Sequence, residues 1–139
     1  MIKKKVISTK NAPSAIGSYS QAIKAGDFIY ISGQIPLDPE TMEIVSDNFE
    51  VQVKQVLNNL NAIVVEAGYH ISDIIKLNVY LKNLENFQSV NNAMSDLFKE
   101  PYPARAAVEV SRLPRDVLVK WTPLSIPVTK LHDRKKKFR

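Results

Sequence analysis

The chain contains no cysteine, and it has only two histidines and four glycines among its 139 residues. Without cysteine it can have no disulfide, thiolate metal site or cysteine nucleophile, and this composition fits a reducing compartment. His70 and His132 have no metal ligand or nucleophile at a useful spacing. No glycine-rich phosphate loop is present, and Ser32-Gly33 lacks the frame of a nucleophile elbow. These gaps argue against thiol enzymes, metalloenzymes and P-loop proteins.

Long apolar runs are also missing. No stretch approaches the ~20 residues that a membrane span needs. The lysines of 3–5 are followed by only two apolar residues, so the N-terminus does not read as a secretory signal. We therefore expect a cytoplasmic protein without membrane contact. Its length fits one domain over 1–129, followed by a basic tail over 130–139.

The positive charge is concentrated in that tail. The formal net charge is +5, and residues 130–139 carry six basic side chains and one acidic one. Residues 1–129 carry 13 of each sign and are neutral. The tail is therefore predicted to be a mobile, solvated end. A neutral body without a basic, aromatic-rich stripe argues against nucleic acid as a partner.

Hydrophobic periodicity predicts two helices and five strands. Apolar residues recur at helical spacing over 48–67 and again over 84–99, before Pro101. Strand-like runs cover 22–24, 28–31, 74–81, 106–110 and 117–121. The order β-β-α-β-α-β-β predicts an α+β fold with both helices on one face of a mixed sheet. The other face would remain open, which predicts an oligomer.

Arg105 is the most informative charged residue. Along its strand, Arg105, Ala107 and Glu109 alternate with Ala106 and Val108, so the guanidinium is flanked by small apolar groups. The planar fork of arginine matches a carboxylate, and Ala107 leaves room for a ligand. The alternative is an ion pair within the chain. Glu109 is a poor partner, because four strand residues span about 13 Å.

Several segments together resemble the RidA (YjgF-type) family of enamine and imine deaminases, the 2-iminobutanoate/2-iminopropanoate deaminases. The likeness runs over roughly residues 6–119, and its segments are Asn11-Ala12-Pro13, Ile16 to Gln21, Ser32-Gly33-Gln34-Ile35-Pro36, Val90-Asn91, Pro103 to Val110 and Arg112 to Val117. The resemblance implies a chorismate-mutase-like α+β fold and a homotrimer with a cleft between subunits. It also implies hydrolysis of 2-aminoacrylate-type imines to 2-oxo acids and ammonia, without a metal or organic cofactor.

The same resemblance implies roles for individual residues. Arg105 would bind the carboxylate of the substrate, and Tyr19, Ser32 and Asn91 would line or shape the cleft. The backbone around Gly33 and Ala107 would offer further hydrogen-bonding groups. Each side chain also has a structural alternative: Tyr19 as a core tyrosine, Ser32 as a partner of nearby backbone, and Asn91 as a brace or cap of its helix.

The chain departs from the family pattern near its C-terminus. The family strand reads like V-x-I-E-I-E-A-I-A-V, and its first glutamate is thought to position or activate water. Lys120 stands at the position of that glutamate here, and Pro123 and Pro127 would each remove a backbone donor, which a central strand tolerates badly. Codons for 119–124 exist that, read in a shifted register, encode Glu-Met-Asp-Ala-Ile. We hypothesise a frameshift near 118–119, which resequencing the gene and an intact-mass measurement would test.

Two other functions stay open beside the deaminase. The first is a non-catalytic module that binds small carboxylates in the same cleft, which Lys120 favours. The second is RNA binding or cleavage, or inhibition of translation, as attributed to some relatives. Loss of RNA affinity on deletion of 130–139 would separate the contribution of the tail from that of the body.

Overall fold

The structure is a computed structural model, and it describes residues 2–123 and the backbone of Ile126–Pro127. It contains seven strands and two longer helices. In chain order they are β1 (Lys4–Ile7), β2 (Ala22–Ala25), β3 (Phe28–Ile31), α1 (Phe49–Glu66), β4 (Lys76–Leu81), α2 (Phe87–Leu97), β5 (Ala104–Glu109), β6 (Val119–Pro123) and β7 (Ile126–Pro127). The basic tail over 130–139 lies outside the described residues.

The strands form two sheets that are joined by a single pair of residues. The first sheet has the order β1-β2-β3-β7 and is antiparallel; the second has the order β5-β4-β6. Within the second, β4 runs parallel to β5 and antiparallel to β6. The backbones of Gln34 and Trp121 exchange two hydrogen bonds, of 2.9 and 3.1 Å, and so connect the sheets. The predicted α+β class with a mixed sheet is confirmed.

Strands β1 and β7 are additions to the predicted order. β1 pairs in full with β2, from Lys4 opposite Ala25 to Ile7 opposite Ala22. Only Ile7 of this strand is buried, and the residues of the strand do not alternate between apolar and polar. The strand forms because it pairs with β2, which is a tertiary contact.

α1 begins at a side-chain cap, and α2 begins after a short 3-10 turn. The Asn48 side chain accepts a hydrogen bond from Val51 N at 3.0 Å and caps α1. A short 3-10 turn over Leu84–Asn86 precedes α2. The apolar stripe of α1 is buried as its spacing predicts, and it packs against the sheets.

One face of the sheets carries the core, and the other is open within the chain. In β4, Leu77, Val79 and Leu81 are fully buried beneath the helices, and the residues between them are only half-buried. The open face instead exposes large apolar side chains, among them Val6, Phe28, Tyr30 and Val108. No helix of the described residues is long and apolar enough to cross a membrane.

Candidate functional site

Arg105 lies on β5 and is held by residues of α2. Its Nη1 donates a hydrogen bond to Oδ1 of Asn91 and contacts Sδ of Met94 at 3.5 Å. The guanidinium carbon lies 4.8 Å from the centroid of the Phe87 ring, within the range of a cation–π contact. Within residues 2–123 no carboxylate lies in ion-pair range of Arg105. The guanidinium of Arg105 is therefore held in one orientation and still has N–H groups that can donate to an anion.

The backbone beside Arg105 is also available. β5 is an edge strand, since only β4 pairs with it. Ala104 N donates to the carbonyl of Ile75, just before β4, and Val110 N donates to the carbonyl of Leu81 in β4, both at 2.9 Å. Because backbone direction alternates along a strand, the N–H and C=O of Ala107 point to the unpaired edge. This edge presents a guanidinium and main-chain groups side by side.

A second group of predicted residues surrounds a cavity of about 390 Å³. Its lining consists of Tyr19, Ser32, Gly33, Ile35 and Lys120. The size falls within the usual range for small-molecule pockets. Three residues predicted for the cleft, Tyr19, Ser32 and Gly33, thus come together with Lys120 at the position of the family glutamate.

The two hydroxyl groups of this cavity have different roles as hydrogen-bonding groups. Ser32 Oγ donates to the carbonyl of Ser20 at 2.6 Å, so toward a ligand it acts as an acceptor. Tyr19 Oη accepts from Ile16 N at 3.3 Å and keeps its own proton to donate. Tyr19 is exposed, so it does not belong to the core.

The Lys120 side chain packs closely against the backbone of Gly33. A Cβ added at residue 33 would lie 2.5 Å from Cε of Lys120 and 2.6 Å from Oγ1 of Thr122. A side chain at this position would therefore displace the end of the lysine side chain from where it lies now.

Arg105 and Lys120 lie on opposite faces of the sheet within one chain. Arg105 is in register with buried Leu77 on the helix side of β4. Lys120 is opposite Tyr80, which belongs to the open side. The sheet therefore lies between the two cations within a single chain.

Sequence reasoning missed the residues that hold these groups. Phe87 and Met94 flank the guanidinium, but their spacing marks them only as apolar helix positions. Gln21 is buried and uses its side-chain amide to hold the loop that carries Tyr19. A glutamine beside an apolar strand is the signal that could have suggested such a buried role. His70 caps a short turn through Ser72 N.

Two further features of the described residues bear on the site. No group of three or more histidine, aspartate or glutamate side chains lies close enough to hold a metal ion within 2–123. A larger cavity of about 500 Å³ lies between α1 and α2, lined by Glu50, Leu57 and Asp96 among others. None of the predicted site residues lines that second cavity.

Comparison with known proteins places this arrangement in a family. The family model described as Endoribonuclease L-PSP matches residues 9–120. A RutC family protein of Pyrococcus horikoshii is 55% identical over 116 residues, covering 84% of this chain and 92% of the relative. A protein of Dermatophagoides farinae named 2-iminobutanoate/2-iminopropanoate deaminase is 38% identical over 119 residues, covering 86% and 93%.

Solved structures agree. A crystal structure from Yersinia pestis, of a protein in the conserved Rid family, superposes with a TM-score of 0.87 at 44% identity. It covers 91% of this chain, and the match covers all of the Yersinia chain. On the sequence match and the shared fold, this chain belongs to the Rid (YjgF) family, whose family model carries the description Endoribonuclease L-PSP.

Proposed function

We propose that the protein hydrolyses small imines or enamines of amino-acid origin to 2-oxo acids and ammonia, with Arg105 binding the substrate carboxylate. The observation that carries this proposal is the state of Arg105. Its guanidinium is half-buried, braced by Asn91 and Phe87, and has no carboxylate partner within 2–123. One relative bears the name of this activity.

The chemistry requires little from the protein beyond positioning. An iminium carbon is already electrophilic, so water attacks it with modest help once the carboxylate is held. Asn91 orients one arm of the fork, and the remaining N–H groups can grip the carboxylate in a bidentate way. The outward backbone of Ala107 offers further hydrogen bonds beside it.

The proposal includes a homotrimer in which neighbouring chains complete each site. Within one chain, Arg105 and the cavity of Tyr19, Ser32 and Lys120 face opposite sides of a sheet. The exposed apolar face and the unpaired edge of β5 are surfaces that a second copy would cover. Native mass spectrometry tests this: a species of three chains is expected, and a monomer at micromolar concentration would contradict it.

A coupled assay tests the activity. A threonine dehydratase is supplied with threonine, and 2-oxobutanoate is measured with and without this protein. We expect the protein to speed release of the oxo acid, and Arg105→Ala to abolish the effect. Arg112→Ala is the matched control, since Arg112 pairs only with exposed Asp116. Equal acceleration by the Arg105→Ala variant would refute the proposed role.

A second candidate function is binding of small carboxylates without turnover. Lys120, at the position of the family glutamate, favours it, because the residue thought to position water is missing. Calorimetric binding of 2-oxobutanoate that needs Arg105, together with no acceleration in the coupled assay, would identify this function.

A further inference from the structure

Lys120 is a lysine whose side chain lies in a cavity. The residue is half-buried, and its side chain lines the 390 Å³ cavity together with those of Tyr19 and Ser32. Within 2–123, no aspartate or glutamate lies in ion-pair range of its amine. An exposed lysine would ordinarily be a solvated point charge. This one faces two hydroxyl groups and enough space for a small molecule.

The end of the Lys120 side chain packs against the backbone of Gly33. A Cβ on Gly33 would meet Cε of Lys120 at 2.5 Å and Nζ at 3.4 Å, so the lysine packs directly along the glycine. The amine thus lies beside Gly33 at the wall of the cavity. A potential nucleophile therefore shares this cavity with Tyr19, which keeps a proton to donate.

We propose that Lys120 is a nucleophile that forms a Schiff base with small 2-oxo acids in this cavity. Lysine amines attack carbonyl carbons in this way in many enzymes. The choice of a 2-oxo acid rests on the proposed function, because a 2-oxo acid is the product of the proposed reaction. A three- or four-carbon oxo acid also suits a cavity near the small end of the ligand-binding range.

The reaction balances with groups that are present. The unprotonated form of the amine adds to the C2 carbonyl and forms a carbinolamine, and loss of one water gives the C=N bond to Nζ. Tyr19, which lines the same cavity, can protonate the departing hydroxyl, and the N–H proton of the resulting iminium then returns to the phenolate, so that the net loss is one water. With an imine in place of the oxo acid, the same attack exchanges nitrogen and releases ammonia. Hydrolysis of the new Schiff base then yields the oxo acid and regenerates the lysine.

Reductive trapping tests the proposal on the full chain. The protein is incubated with pyruvate and cyanoborohydride, which reduces a Schiff base to a stable amine, and modified lysines are located by peptide mass spectrometry. We expect labelling of Lys120 to saturate with pyruvate and to be about tenfold faster than labelling of Lys76. Lys76 is the internal standard, because it is also half-buried on the same face but lies outside the cavity.

Three variants sharpen the test. Lys120→Arg keeps the charge and must lose the fast adduct, whereas Lys76→Arg must keep it. Tyr19→Phe should slow labelling of Lys120 by about tenfold or more if the phenol supplies the proton. Circular dichroism of each variant checks that it folds. Labelling of Lys120 no faster than that of Lys76 overturns the proposal, and so does a fast adduct that persists in Lys120→Arg at another residue.

Trapping with pyruvate requires no imine turnover, so its result is separate from the deaminase assay. Fast labelling of Lys120 without acceleration of oxo-acid release would leave this inference standing and remove the proposed activity. Arg105-dependent acceleration of oxo-acid release, with Lys120 unlabelled, would support the proposed activity and overturn this inference.

Discussion

Gln21 is expected to be the main polar support of the loop that carries Tyr19, and its replacement by leucine tests this. The side chain is 4% exposed. Its Oε1 accepts from Thr9 N at 2.7 Å, and its Nε2 donates to the carbonyls of Thr9, Ala12 and Pro13 at 3.0, 3.3 and 2.8 Å. Gln21→Leu keeps much of the volume and removes every one of these bonds.

The expected cost follows from which partners lose access to water. The bonds to the Ala12 and Pro13 carbonyls are buried, and those to Thr9 are only partly so. A buried polar group left without a partner costs about 1–3 kcal/mol. Two such groups, with water replacing the Thr9 bonds, give a loss of roughly 2–6 kcal/mol. This is a large part of an ordinary unfolding free energy.

Urea denaturation at one fixed protein concentration measures the change, because an oligomer unfolds with concentration dependence. Gln88→Leu is the matched control, since Gln88 is exposed and its amide bonds only Asn92. The control should stay within about 0.5 kcal/mol of the parent. A Gln21→Leu variant as stable as the control would refute the reasoning that this amide organises the loop.

Three further predictions concern single side chains. Asn91→Ala should weaken 2-oxobutanoate binding about tenfold in calorimetry, because Arg105 loses the acceptor that orients it; unchanged affinity would show that Asn91 only braces its helix. Trp121→Phe should cost less than about 1.5 kcal/mol in urea denaturation, because Nε1 of the fully buried Trp121 has no hydrogen-bond partner among residues 2–123, and losing that donor offsets the lost volume. Burial, followed by the charge of Asp73, raises the pKa of Tyr69 above its usual 10.0. The phenol of the unfolded chain therefore ionises at a lower pH than that of the folded chain, and the free energy of unfolding should fall as the pH rises past 10.0. An absorbance titration should place the ionisation of Tyr69 at a higher pH than that of a free tyrosine, and ionisation at the same pH would contradict this.

Local patterns in the sequence were enough for most of the fold. The apolar stripe of α1 and the alternation in β4 predicted which side chains are buried, because helix and strand periods are properties of the backbone itself. The α+β class and the family followed from these patterns and from the segments around Arg105. The alternation of β5 also predicted that Arg105 and Ala107 share a face, as they do.

Other features required the tertiary structure, because they join residues far apart in sequence. β1 exists through its pairing with β2, and its own residues are mostly exposed. The separation of Arg105 from Lys120 depends on the register of three strands, which no single segment encodes. The sequence by itself determined both helices, five of the strands, the family and the candidate residues. Only the packing of sheet and helices decided which of those residues meet, because that depends on which faces are buried together.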